Sequence, residues 1–145
     1  MNLERAEKLK ALLRANASRF RMDHWFILDR PSACGNLAIG FERSEIEDFL
    51  EPECGTTACI AGFACHLSMA EGLPTKPWGT GLDFEGIAKD YLELESNEAD
   101  ILFFHEEWLL SHRLAYKLAV GKRDYPAAVE VACEMIDLIA EGSCS

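Results

Sequence analysis

No stretch of this 145-residue chain reaches the roughly 18 consecutive apolar residues that a membrane-crossing helix needs, so a membrane span is not expected. Basic side chains are scarce as well: 14 Lys and Arg stand against 25 Asp and Glu, a formal charge of −11. Affinity for nucleic acid comes largely from cations that neutralise phosphates, so direct binding to DNA or RNA is disfavoured. The chain has no Cys-x2-Cys knuckle for a structural zinc, no lysine to turn GTTACIAG (residues 55–62) into a phosphate loop, no internal repeat and no low-complexity tract. The first 21 residues carry charges throughout and lack the apolar core of a secretory signal. A cytoplasmic location follows as the expectation, with all six cysteines kept as thiols. No metal or other cofactor is implied.

What charge there is lies unevenly. Residues 1–31 hold seven cations against four anions (+3), residues 42–53 one against six (−5), residues 83–107 one against nine (−8), and residues 108–145 four against five (−1). The middle of the chain is an acid block. A field of that sign attracts a basic surface, including a protein that itself binds nucleic acid.

The chain length suits one domain spanning residues 1–145, large enough to bury a core without staples. Apolar residues at helical spacing predict a first helix from Leu3 to about Ser18, with Asn2 as N-cap. Residues 26–41 predict a short β-hairpin, entered through FRMDHWFILDR and closed by alternation at Leu37, Ile39 and Phe41. A helix from Ala58 to Met69, capped by Thr56 or Thr57 and stopped at Gly72, carries small residues at Ala58, Ala61, Gly62 and Cys65. Such a bare side lets a neighbouring helix approach closely, which predicts a central, buried position. The stretch LPTKPWGTGLD (residues 73–83) reads as a loop carrying Trp78. Further helices are predicted from Phe84 to Tyr91 behind Asp83, from Ser96 with ILFF inward, over residues 106–120, and from Asp124–Pro126 to Gly142. The fold class is therefore mainly α: a compact single-domain bundle of five or six helices, with one short hairpin.

The stretch CGTTACIAGFACH (residues 54–66) gathers three cysteines and a histidine. As metal ligands they are poorly spaced, because Cys59 and Cys65 fall on different faces of one helix. As a nucleophile, Cys59 would gain from the first turn of a helix, where free amides lower a thiol's pKa, with His105 or His112 as base. Thr56 and Thr57 at the same helix start offer a third reading, a small-anion site. Packing is the reading preferred over all three, since free Cys behaves as a small buried apolar residue.

Taken together, FRMDHW (residues 20–25), CGTTACIAGFA (54–64), YLELESNEADILF (91–103) with the following Trp108, and YPAAVEVACEMIDLI (125–139) resemble a family of small proteins of bacteria and tailed phages. The pattern of that family is F-x-M-x-x-W, then C-G-T-x-x-C-x-A-G-x-A, then a leucine-rich segment ending in Leu-Phe. This chain has Phe63 where the family often has Trp. The family carries no established activity, so the resemblance implies a mobile-element setting and no mechanism. In size and charge the chain is similar to phage-encoded anti-defence inhibitors, including anti-CRISPR proteins, which often act by binding. The expected function is a non-enzymatic acidic binding protein that inhibits or sequesters a basic host protein, such as a nucleic-acid-binding defence complex. Glu45, Glu47, Asp48, Glu93, Glu95 and Glu98 are the expected contact acids and Trp78 an anchor. A hydrolase or transferase built on Cys59, and a sponge for a small anion, are the alternatives. Oligomeric state is not legible.

Overall fold

The structure, a computed structural model, describes residues 1–22, 26–27, 57–74, 77–78 and 81–142. Among these residues six α-helices form a bundle around one apolar core. The first, α1, is Leu3–Ala15; the Asn2 side chain caps it by accepting from the Arg5 amide at 3.1 Å. A 3-10 turn, Ala17–Arg19, leads to Phe20, which bridges to Ala58. Strand β1, Phe26–Ile27, pairs antiparallel with β2, Thr57–Ala58. Of the hairpin expected over residues 26–41 only Phe26–Ile27 is described, and it pairs with Thr57–Ala58 and not within the expected hairpin; residues 28–41 lie outside the described set.

Helix α2 is Ile60–Ala70, and every residue from Ile60 to Cys65 is buried. It begins two residues later than the sequence suggests, because Thr57 and Ala58 are held in β2 and Cys59 takes the N-cap position. Thr57 therefore does not cap the helix. The C-terminal stop is as expected: Gly72 adopts φ +74°, a left-handed conformation that glycine enters without steric cost. The expected loop contains a small hairpin, β3 (Pro77–Trp78) with β4 (Gly81–Leu82), in the register Pro77↔Leu82 and Trp78↔Gly81.

Helix α3, Phe84–Leu92, starts at the Asp83 carboxylate, which accepts from the Gly86 amide at 2.9 Å. It packs on α2, and the contact is anchored by the Cys65 thiol, which donates to the Phe84 carbonyl at 3.1 Å. The small residues of α2 thus do what their size allows: they bring a neighbouring helix close. Helix α4, Ser96–Phe103, precedes a 3-10 turn, His105–Glu107. Helix α5 is Leu110–Gly121, shorter than the predicted 106–120 helix, since Trp108 breaks the run in an extended conformation. Helix α6, Tyr125–Ala140, is capped by Asp124 and carries Pro126 in its first turn. It packs against α1, α4 and α5, contributing Ala132, Met135 and Ile136 to the centre of the core. No helix among the described residues is long and apolar enough to cross a membrane.

Candidate functional site

The thiols come first, because they carry the sharpest chemical alternative. Cys59 is 2% exposed at the N-cap of α2. Burial pushes its pKa up to about 11, and the nearby amides of Gly62 and Ala61 offset only part of that. A thiol so placed is protonated at neutral pH, the reverse of what a nucleophile needs. Cys65 lies well above its ordinary value, chiefly through burial and then through its neighbour Cys59. Burial likewise raises Cys133 to about 11.

The two candidate bases sit in different surroundings. His105 is buried, its ring 5.3 Å from that of Tyr116 and 6.4 Å from that of Trp108, with Nδ1 3.5 Å from Glu106. Trp108 and Tyr116 meet edge to face at 5.5 Å. The Trp108 indole N–H donates to the Leu102 carbonyl at 3.3 Å, and the Tyr116 hydroxyl accepts from the Met22 amide at 2.8 Å. This aromatic cluster ties the segment after α1 to α4 and α5. His112 lies on α5, with Nε2 3.1 Å from the Glu134 carboxylate on α6. Among the described residues no group of three or more His, Cys, Asp or Glu side chains is arranged to hold a metal ion.

A cleft of about 290 Å³ opens where α1, α2 and α3 meet, lined by Arg5, Ser68, Leu73, Ile87, Asp90 and Tyr91 among others. Its cation is already engaged. Arg5 lies 4.8 Å from the Tyr91 ring centroid, donates to the Tyr91 carbonyl at 2.9 Å and stands 3.9 Å from Glu93. The Tyr91 hydroxyl donates to Glu71, and burial together with that carboxylate raises its pKa.

The acid block occupies α3, α4 and the turn that follows. Glu93 closes α3 in a left-handed conformation (φ 55°), and its carboxylate accepts from the Asn2 side chain. Glu95 is the N-cap of α4, and the Glu98 carboxylate accepts from the Glu95 amide at 3.0 Å, one half of a capping box. These three expected contact acids therefore also hold helix ends together. Asp90, Asp100, Glu106 and Glu107 are exposed acids of the same block, and none of them caps a helix. Lys89 is the single cation of residues 83–107, and it donates to the Ser96 hydroxyl at 2.7 Å. Glu85 is partly buried, and its pKa is raised by that burial and by repulsion from Asp100 and Asp83. Glu45, Glu47, Asp48 and Thr56 lie outside the described residues, as does the side chain of Trp78, whose backbone belongs to β3.

The described residues thus define a helical protein with buried Cys59, Cys65 and Cys133 and with exposed carboxylates along residues 90–107. Comparison of the chain with protein-family models, curated proteins and solved structures finds no match.

Proposed function

We propose that this protein is a non-enzymatic binding module that captures a basic protein surface through its acidic flank. The carrying observation is the run of exposed carboxylates at Asp90, Glu93, Glu95, Asp100, Glu106 and Glu107, with Lys89 as the one cation in residues 83–107. Opposite charge of that density steers encounter and sets orientation more than it adds affinity, so a basic partner is selected by rate and register. A nucleic-acid-binding complex of a bacterial host is the class of partner such a surface suits, and inhibition by occupying its basic groove is the corresponding action. The resemblance to small phage proteins supports that setting. A protonated, 2%-exposed Cys59 favours binding over cysteine catalysis.

The test is affinity capture from bacterial lysate at two salt concentrations, followed by a titration with the captured protein. The double variant Asp100→Lys, Glu107→Lys reverses charge while leaving every helix cap in place. Capture that weakens with salt and is lost in the variant supports the reading. Binding that ignores both salt and the variant rejects it.

A further inference from the structure

Helix α5 carries two apolar faces, and among the described residues one is buried while the other is exposed. Tyr116 and Ala119 are buried against the core. On the opposite side Leu110, Leu114 and Leu118 are 61%, 56% and 60% exposed. Spaced at i, i+4 and i+8, they form one row about 12 Å long. Leu109 and Phe104, which precede the helix in the chain, are exposed as well. A single exposed leucine means nothing, but a contiguous row marks an interaction surface.

The charges around the row say what it fits. From Trp108 to Arg123 the chain has four cations, Arg113, Lys117, Lys122 and Arg123, and no carboxylate, in a protein whose overall charge is −11. Lys117, Lys122 and Arg123 have no carboxylate within ion-pair distance among the described residues. Arg113 donates to the Glu106 carbonyl at 2.9 Å, which leaves its charge uncompensated. On the helix, Arg113 and Lys117 run along one flank of the leucines, while Lys122 and Arg123 close the C-terminal end.

We propose that this face of α5 docks an acidic amphipathic helix of another protein, one presenting leucine-like residues at i, i+4 and i+7 with Asp or Glu along the edge that meets Arg113 and Lys117. The mode is helix against helix: the leucines interdigitate and the partner's carboxylates meet the cationic rim. A second copy of this chain fits poorly. An antiparallel two-fold pairing of α5 with itself brings Arg113 and Lys117 of one copy beside their equivalents, and like charges across such a seam repel. This surface has the opposite sign from the acidic flank and lies on a different helix, so either can fail without the other.

The probe is a synthetic 18-residue amphipathic helix with leucines in one row and glutamates flanking them, compared with the same peptide carrying lysines in place of the glutamates. Binding is followed by fluorescence anisotropy against the wild type, Leu114→Ser/Leu118→Ser and Lys117→Glu/Lys122→Glu, each checked by circular dichroism for an intact fold. The proposal expects the glutamate peptide to bind at least tenfold tighter than the lysine peptide. It also expects at least a tenfold loss in the leucine variant and a reversed peptide preference in the charge variant. Equal affinity for the two peptides, no binding of the glutamate peptide, or indifference to the leucine substitutions overturns it. So does sedimentation showing a wild-type dimer that the leucine variant abolishes, since the row then belongs to a second copy.

Discussion

The Lys10 ammonium on α1 lies 2.6 Å from the Asp137 carboxylate on α6, with Glu7 at the same distance on its other side. The lysine side chain is only 8% exposed, whereas both carboxylates reach solvent. Burial lowers the lysine pKa, and the hydrogen bonds that Lys10 donates to Asp137 and Glu7, with their negative charge, together more than reverse that, so the charge is kept inside the α1–α6 contact. Asp137→Asn leaves a buried ammonium with one carboxylate and is expected to destabilise by about 1–3 kcal/mol. Lys10→Met removes the buried charge and is expected to cost less, because a well-packed apolar replacement avoids the desolvation penalty. Urea unfolding of the two variants checks the order; an Asp137→Asn cost no larger than that of Lys10→Met would contradict it.

The buried thiols predict a stability that falls on the alkaline side. The folded protein holds the Cys59 proton up to about pH 11, while an unfolded thiol releases it near 9.0. Stability from this difference is complete below pH 9 and is lost as the pH climbs toward 11, because only the unfolded chain gains from ionising there. For Cys59 the loss amounts to at most about 3 kcal/mol. Cys65 and Cys133 shift in the same direction and add to it. The urea midpoint is expected to drop between pH 8.5 and 10.5, and to drop less in Cys59→Ala.

The same burial forecasts which sulfurs react. Iodoacetamide at pH 7.5, read peptide by peptide in a mass spectrometer, is expected to spare Cys59, Cys65 and Cys133 in the native protein and to label them in urea. Prompt native labelling of Cys59 would restore the nucleophile reading.

Two helical glycines are expected to answer alanine with opposite signs. At Gly121, in the last turn of α5, an added methyl meets nothing within 4 Å, and Gly121→Ala is expected to stabilise by about 0.5–1 kcal/mol. At Gly86 the same methyl falls 2.2 Å from an Asp83 carboxylate oxygen. Asp83 must swing away and release its cap on α3, which costs about 1 kcal/mol and cancels the helix gain or exceeds it. Thermal melts of the two variants separate these outcomes.

Tyr116→Phe is expected to destabilise by about 1–3 kcal/mol, since it leaves the buried Met22 amide without the hydroxyl that accepts from it. A melt unchanged from wild type would show that this tie between α5 and the segment after α1 is dispensable.

Local patterns made much of this legible. Asn2, Asp83 and Asp124 are short polar side chains ahead of apolar periodicity, and each caps the helix that its position announces. The small residues of residues 58–65 announced a closely packed helix, and Cys65 indeed reaches the backbone of α3. Local pattern misleads where a distant partner intervenes. Thr57 reads as a cap until Phe26 and Ile27 pair with its strand, and residues 106–109 read as helix until the Trp108 indole turns to the Leu102 carbonyl. The roles of Glu93, Glu95 and Glu98 at helix ends were similarly hidden, because a surface acid and a capping acid look alike in sequence.

The sequence by itself determined that the chain is helical, where most helices begin and end, and that its charge is concentrated in one acidic block, because these properties depend on neighbours a few residues apart. Only the tertiary structure decided which of the two apolar faces of α5 is covered, that Lys10 is enclosed, and that Cys59 is shielded. Periodicity shows that a helix has a face to bury, but what lies against that face is settled by contacts between residues far apart in the chain.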